Sequence, residues 1–172
     1  MSDQGDTPRQ RTVTWHDPTI TATAFHDLTG LEFLRRITRG ELPPPPIAAL
    51  LGMRFEEVDE GRVVFSVEPA EYHYNPIGTV HGGLACTLLD SAMSCAVQSL
   101  LPMGVAYTTL ELKVNFVRPM SQTTGKVLCE GKVIHLGSRI GTAEGRLYDE
   151  HGKLYAHGVT TCIVLRHHEP RR

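Results

Sequence analysis

The sequence has only four cysteines, and none of them belongs to a recognisable metal or redox motif. Cys86, Cys95, Cys129 and Cys162 form no CxxC pair and stand at no ligand-like spacing from a histidine. Cysteines of this kind are typical of buried free thiols in a reducing compartment. We therefore predict neither a disulfide framework nor a metal site.

Positive charge is too sparse for a nucleic-acid partner. The 172 residues include 17 Lys and Arg against 19 Asp and Glu, which gives a net charge of -2, and the basic residues form no long stripe. Residues 1–30 are too short and too weakly basic for a DNA-binding segment. We expect no nucleic acid among the partners of this chain.

Long apolar runs are absent as well. No run reaches the roughly 18 residues that a membrane-spanning helix needs, and the opening MSDQGDTPRQRTVTW has no apolar leader core. We therefore expect a soluble cytoplasmic protein without a membrane partner.

The chain does contain a series of strand patterns on either side of one long helix. Thr29 and Glu32 have capping-box spacing ahead of a helix that ends near Gly40, and Pro46 can begin a short helix through Leu51. About six strands follow, without the strand–helix alternation of a doubly wound parallel sheet. The pattern predicts an α+β fold in which a curved antiparallel sheet wraps one long central helix.

The composition divides the chain into three segments. Residues 1–24 are polar and mixed in charge, which predicts a loosely ordered N-terminal extension. Residues 25–166 contain the predicted helices and strands and are expected to form the folded domain. Residues 167–172 read as a solvated tail.

The long helix, from about Gly83 to Ser99, is apolar around nearly its whole circumference and yet carries one acid, Asp90. A helix that is apolar on all sides is a buried one, and a buried carboxylate is costly unless it has partners. Asp90 either bonds Ser91, Ser94 or a neighbouring strand in a purely structural role, or it is a functional acid. The helix alone leaves both interpretations open.

The loop before the helix favours the functional interpretation. Gly82 and Gly83 stand where the helix begins, so unpaired N–H groups and the positive end of the helix dipole point outward there. Glycine allows close approach, and His81 and Asn75 can add donors beside it. Together they form a donor cluster near one lone acid, which is what the attack of water on a carbonyl group requires.

The pattern N-P-x-G-x-x-H-G-G followed by Asp on the next helix resembles the hotdog-fold acyl-CoA thioesterases, in particular the group similar to the phenylacetate-pathway thioesterase PaaI. The spacings of six residues from Asn75 to His81 and nine from His81 to Asp90 both match, and the resemblance runs from about Leu31 to Leu165. It implies a hotdog fold and a homodimer or dimer of dimers in which donors and acid come from different subunits. It also places His81 beside the thioester in a supporting role.

The resemblance implies a role for each of the other matched residues. The N–H of Gly82, helped by Asn75, polarises the thioester carbonyl, and Asp90 activates water or attacks the acyl carbon itself. Thr109, on the strand after the helix, helps to hold the water, with Thr108 as the neighbouring candidate. Coenzyme A is part of the acyl-CoA substrate, so no separate cofactor is implied.

The phosphates of coenzyme A need positive charge at their binding site. Arg118 is one candidate, and Arg139, which matches a position that contacts the nucleotide in relatives, is the other, although either can also be a solvated surface charge. The predicted substrate-binding residues are Gly83, Arg118, Gly137, Ser138 and Arg139.

Two other functions stay open on the same fold. The stretch HYNPIG resembles the His-x-Pro-Gly loop of the hydroxyacyl-thioester dehydratases. This sequence, however, lacks their later Pro-Gly and has Asp where they have a helical Glu. A non-catalytic acyl-CoA-binding module would not need Asp90.

The acyl group is not readable from the residues, so aryl-acetyl, medium-chain and hydroxybenzoyl thioesters are all retained. We expect an acyl pocket between the helix and the partner subunit, lined by some of Leu84, Leu88, Met93, Met103 and Tyr107.

Overall fold

A computed structural model describes residues 7–165 of the chain. Within this range the helices are Pro18–Ala24 (α1), Gly30–Thr38 (α2), Pro46–Leu51 (α3) and Gly82–Ser99 (α4). The strands are Arg54–Asp59 (β1), Arg62–Val67 (β2), Ala106–Phe116 (β3), Val127–Leu136 (β4), Ile140–Asp149 (β5) and Leu154–Leu165 (β6). No helix within residues 7–165 is long and apolar enough to cross a membrane. The predicted tail, 167–172, lies outside the described residues.

The six strands form one antiparallel sheet in the order β1-β2-β4-β5-β6-β3. Helix α4 packs against the sheet and contacts every strand. The predicted α+β fold, a curved antiparallel sheet around one long helix, is confirmed. The sheet leaves two edges, β1 and β3.

The core lies between α4 and the sheet. Leu88, Leu89 and Met93 of the helix have no exposed surface. At Gly131 in β4 the sheet approaches so closely that an added Cβ would lie 2.2 Å from the carbonyl carbon of Ala92. Real Cβ atoms are never that close to backbone, so glycine is required for this helix to sit on this sheet.

The predicted start and end signals of the N-terminal helices are confirmed. Thr29 caps α2, and its side chain accepts a hydrogen bond from the N–H of Glu32 over 3.3 Å. Gly40, just after the helix, has a φ of 74°, which favours glycine. Pro46 is the first residue of α3.

The segment before α2 is attached to the domain by specific contacts. Asp17 caps α1 by accepting from the N–H of Thr19 over 2.9 Å. Arg11 donates to the carbonyl oxygen of Leu50 over 2.7 Å and stacks on the ring of Tyr72 at 4.0 Å. The domain boundaries given above stay a prediction, but residues 7–24 include a helix that the polar composition did not reveal.

Candidate active site

The acid on α4 and the hydroxyl group on β3 are hydrogen-bonded to each other. Thr109 donates its hydroxyl hydrogen to Asp90 Oδ1 over 2.8 Å. Successive residues of a strand point to opposite faces, and Thr108 is accordingly exposed on the other side of β3. The structure therefore brings Thr109, and not Thr108, to the acid.

Asp90 is not fully buried, contrary to the expectation from the apolar helix. It is half-buried, on a stripe of α4 that the sheet leaves uncovered and that also includes Gly83, Cys86, Thr87 and Ser91. These positions recur at three- and four-residue spacing and so share one helix face. We call this face the open stripe. Its small side chains hid it from the sequence pattern, and they leave the carboxylate accessible.

The strand bends directly after the hydroxyl residue. Thr109 pairs with Cys162 and Glu111 pairs with Thr161, so Leu110 is an extra, unpaired residue in the ladder. A β-bulge of this kind re-aims nearby side chains and is common beside active sites. Here the bulge interrupts the strand alternation that directs the side chains of Tyr107 and Thr109 toward α4.

The start of α4 presents one open backbone donor. His81 is the N-cap, and its Nδ1 accepts from the N–H of Gly83 over 2.8 Å. The N–H of Gly82 has no acceptor within residues 7–165. The N–H of Gly82 is therefore available to a ligand. The N–H of Gly83 instead bonds the ring of His81 and fixes its orientation.

Asn75 holds its own loop together. Its Oδ1 accepts from the N–H groups of Ile77 and Thr79, each over 3.1 Å, and its Nδ2 donates to Thr79 Oγ1 over 2.9 Å. An amide nitrogen carries two hydrogens, so one donor remains for a substrate. Asn75 therefore has a structural role in its loop, and its role as a donor to the thioester stays a prediction.

Gly82 and Asp90 lie eight residues apart on one helix. A rise of about 1.5 Å per residue separates their backbones by about 12 Å along the axis. An oxyanion donor must be about 3 Å from the carbonyl oxygen, and the attacking atom about 3 Å from the carbonyl carbon of the same thioester. The two groups of one chain are too far apart to act on one thioester.

A cavity of about 330 Å³ opens beside Gly82. The end of β3 and the following loop supply Phe116 and Arg118, and β6 supplies Tyr155. Arg118 donates through Nη1 to the carbonyl oxygen of Leu154 over 2.6 Å. Its remaining N–H groups are available to a ligand, so this arginine and the open helix N–H border one space.

Arg139 lies at the other end of the sheet. It is exposed in the turn between β4 and β5, where the N–H of Gly137 donates to the carbonyl oxygen of Ile140 over 2.8 Å. Ile140 pairs with Ile163, which pairs with Thr108, so Arg139 is level with the start of β3. About 26 Å of strand, at about 3.3 Å per residue, lies between this end of β3 and the opposite end. Within one subunit, the two predicted phosphate-binding arginines thus lie at opposite ends of the strands of the sheet.

The cysteines are poor nucleophiles. Burial raises the pKa of Cys95 to about 12, and it also raises the pKa of Cys86, Cys129 and Cys162. The reactive form of cysteine is the thiolate, so all four are in the unreactive form near neutral pH.

The residues of which some were predicted to line the acyl pocket lie in different parts of the structure, and their role in that pocket stays a prediction. Leu84, Leu88 and Met93 belong to the core against the sheet, and Met93 has no exposed surface. Met103 is exposed. Leu84 nevertheless lines a cavity of about 290 Å³ together with His81 and Gly83. Tyr107 lines a different cavity, which is formed with the N-terminal segment. The all-round apolar pattern of α4 could not distinguish its sheet-facing side from its open side.

The fold and the position of the acid define the class of protein, which is a hotdog-fold protein with a carboxylate on its central helix. The structure is similar to that of the E. coli PaaI protein from the phenylacetic acid degradation operon, with a TM-score of 0.69 and 21% identity over 81% of this chain and 97% of that chain. It is also similar to the crystal structure of a phenylacetic acid degradation-related protein from Ralstonia eutropha, with a TM-score of 0.68 and 30% identity over 75% and 97% of the two chains.

Sequence comparison gives the family. The model of the thioesterase superfamily matches residues 77–156. The 1,4-dihydroxy-2-naphthoyl-CoA hydrolase of Listeria monocytogenes is 30% identical over 115 residues, which cover 66% of this chain and 89% of the relative. The chain belongs to the thioesterase superfamily, and the thioester hydrolase class and hotdog fold inferred from the sequence are confirmed.

Proposed function

We propose that the protein hydrolyses the thioester bond of an acyl-CoA, with an aryl or medium-chain acyl group, at a site shared by two copies of the chain. The observation that carries this proposal is the hydrogen bond from Thr109 to Asp90 on the open stripe of α4. The carboxylate is accessible, is held in one orientation, and forms no ion pair within residues 7–165. Such a carboxylate can take a proton from water or attack an acyl carbon.

In the first form of the mechanism Asp90 is the general base. Water attacks the carbonyl carbon while Asp90 takes one of its protons, and the carbonyl electron pair moves onto the oxygen. The N–H of Gly82 of the partner subunit stabilises that oxyanion, helped by Asn75. The C–S bond then breaks, and the coenzyme A thiolate leaves with the proton from Asp90.

In the second form Asp90 is the nucleophile. Its oxygen forms a bond to the acyl carbon, coenzyme A leaves, and water opens the resulting anhydride. A single turnover in water labelled with oxygen-18 identifies the second form if the label is found on Asp90. The label enters the Asp90 side chain only when water opens an anhydride at that carboxyl group.

Thr109 contributes in either form. Its single hydroxyl hydrogen is donated to Asp90, so its oxygen lone pairs remain to accept a hydrogen bond from the attacking water. The residue thus fixes the carboxylate and can position the water. His81 is held beside the helix start by the N–H of Gly83, with its Nδ1 as the acceptor. A neutral ring then carries its proton on Nε2 and can donate it toward a thioester.

A two-fold partner is expected at the β3 edge. β3 is an edge strand that pairs only with β6 within residues 7–165, and its side chains Leu110 and Phe116 are 58% and 59% exposed. A long edge with exposed apolar side chains is a surface that a second strand can cover. Antiparallel pairing of two β3 strands across a two-fold axis would set the Thr109 end of one strand beside the Phe116 end of the other.

This pairing supplies the missing donor. The ring of Phe116 adjoins Gly82, since an added Cβ there would lie 3.1 Å from it. The Thr109 end of one subunit would therefore meet Gly82 and Arg118 of the partner subunit. Arg139 of the first subunit lies on the same side, so a guanidinium group from each chain would be near the phosphates of one coenzyme A.

The direct test is release of coenzyme A from a panel of acyl-CoA thioesters, detected as free thiol. We expect turnover with at least one aryl or medium-chain member. Binding of acyl-CoA without thiol release would support the binding module, and reversible dehydration of a hydroxyacyl-CoA without thiol release would support the dehydratase. Either result would reject the proposal.

Asn75→Ala is expected to lower kcat by about 10- to 10³-fold, because one donor to the oxyanion is lost. Asn75→Asp is the matched variant. It retains an oxygen that can accept from Ile77 and Thr79, so its loop should be better preserved, but it has no N–H to donate. Steady-state kinetics and thermal melts of both variants separate the two roles. If Asn75→Asp keeps wild-type kcat, Asn75 acts only on its loop.

Arg139→Ala is expected to raise KM for acyl-CoA and to leave KM for the matching acyl-pantetheine unchanged, because only the former carries the nucleotide phosphates. The salt dependence of KM for acyl-CoA should also decrease. Arg146→Ala, a substitution of another exposed arginine on the same sheet, is the matched control. Equal effects of Arg139→Ala on both substrates would show that it does not contact the phosphates.

A further inference from the structure

A second cavity, of about 550 Å³, lies against the C-terminal half of α4. We call it the N-terminal cavity, because α1, the turn Phe25–Asp27, α2 and the run Pro44–Pro46 form most of its wall. The opposite wall comes from α4 and β3. Its volume is within the range of pockets that enclose a small organic ligand.

The N-terminal cavity lies near the acid on α4, because Cys95, in its wall, stands five residues after Asp90, or about 7.5 Å along the helix axis. Tyr107, in its wall, lies two residues before Thr109 on the same side of β3 and donates to Ser94 Oγ over 3.1 Å. Ser94 stands four residues after Asp90 on α4. Burial raises the pKa of Tyr107 well above its usual value, and the negative charge of Asp90 adds a smaller effect in the same direction.

The walls of the N-terminal cavity are apolar and stiff. Phe25 and Phe33 pack edge to face, with ring centroids 5.4 Å apart. The prolines Pro44–Pro46 have fixed backbone angles. Thr21 also lines the cavity, and its hydroxyl group donates a hydrogen bond to the carbonyl oxygen of Pro43 over 2.8 Å. Rigid aromatic and proline surfaces suit the flat apolar body of an acyl group.

One polar side chain of the N-terminal cavity is unpaired. Gln98 is only 3% exposed, and its Nε2 has no hydrogen-bond partner within residues 7–165. Buried polar groups almost always have a partner, because an unpaired donor is destabilising. The terminal torsion of glutamine is broad, so the amide can turn its N–H groups toward an acceptor that enters the cavity.

We propose that the N-terminal cavity holds the acyl group and that Gln98 is a specificity-determining residue, which donates a hydrogen bond to an acceptor at the far end of that group. This inference rests on the proposed function, since the thioester must lie at Asp90. Eight residues of α4, or about 12 Å, separate Asp90 from Gln98. An aryl-acetyl group with an acceptor on its para substituent spans most of that distance.

The test compares two synthetic thioesters, 4-acetylphenylacetyl-CoA and 4-isopropylphenylacetyl-CoA. Their acyl groups have nearly the same shape, but only the first has a hydrogen-bond acceptor at its far end. The wild-type protein is expected to favour the acetyl compound in kcat/KM by roughly 10- to 100-fold, because the isopropyl compound leaves the Gln98 amide unpaired. Gln98→Leu is expected to remove this preference and to hydrolyse the isopropyl compound at least as well as wild type.

Thr21→Val is the matched control in the same cavity. The Thr21 hydroxyl group is already bonded to Pro43, so this variant should keep the wild-type preference. Gln98→Met, which also removes the donor, replaces Gln98→Leu if the latter does not fold by its thermal melt.

Binding provides a second measurement that does not depend on turnover. Calorimetric titration of Asp90→Asn protein with each compound should give a tighter Kd for the acetyl compound, and the added Gln98→Leu change should equalise the two values. Equal affinities in the Asp90→Asn protein, or a preference that survives loss of Gln98, would overturn the inference and leave thioester hydrolysis standing. Absence of hydrolysis of any acyl-CoA would overturn the proposed function instead.

Discussion

Asp90→Asn is expected to lower kcat by at least about 10²-fold and to leave KM little changed. Asparagine has nearly the shape of aspartate and keeps an oxygen that can accept from Thr109, so the local packing should persist. An amide neither takes a proton from water nor attacks an acyl carbon. The loss is therefore confined to the transition state, which is why kcat falls and substrate binding does not.

The measurement is steady-state release of coenzyme A, with a thermal melt to confirm that the variant is folded. Glu150→Gln removes one negative charge from an exposed position in the turn before β6 and is the matched control. Its kinetics should equal those of wild type. Wild-type turnover by folded Asp90→Asn protein would contradict the mechanism and favour the non-catalytic binding module.

Gly82→Val is expected to have a larger effect, a fall in kcat/KM of more than about 10³-fold. The backbone N–H is retained, but the side chain occupies the space in which the carbonyl group must approach it. The new Cβ would lie 3.1 Å from the Phe116 ring, so a shift of this side chain by a few tenths of an ångström would relieve the contact and the fold should tolerate the change. Gly82→Ala, with a smaller side chain, should lose less activity.

Purified Gly82 variants are compared by acyl-CoA hydrolysis and by thermal melts. A graded loss of activity from glycine to alanine to valine, without a matching loss of stability, supports a carbonyl-binding site at the helix start. If folded Gly82→Val protein hydrolyses acyl-CoA at the wild-type rate, the oxyanion is held elsewhere.

The order and type of the main elements were predictable because local patterns determine them. Thr29 with Glu32, and Pro46 at the first position of α3, mark helix starts that do not depend on the rest of the chain. The spacing from the His-Gly-Gly stretch to Asp90 likewise determines their relative position, because the glycines and Asp90 lie on one helix. These local features were sufficient to predict the fold and to identify the candidate acid.

The features that were missed depend on tertiary packing. Periodicity could not show that the sheet covers Leu88 and Met93 but leaves Asp90 on an open stripe, because all sides of α4 are apolar or small. The polar residues 7–24 gave no sign that α1 would help to form a cavity with Gln98. Contacts between segments distant in sequence decide both features.

The central claim is that the acid and the oxyanion donor of each site come from different chains. The 12 Å or so between Gly82 and Asp90 on one helix requires it, if both act on one thioester. Asp90→Asn and Gly82→Val proteins, each nearly inactive alone, are the two components of the test. In a mixed dimer one site would carry both lesions and the other site would carry neither.

The decisive measurement is the activity of the two variants after co-refolding in equal amounts, with mixed dimers confirmed by two affinity tags. Random pairing makes half of the dimers mixed, each with one intact site, so the account predicts recovery to roughly a quarter of wild-type activity. If Gly82 and Asp90 of the same chain form the site, every site keeps one lesion. An absence of recovery in demonstrably mixed dimers would contradict the shared site.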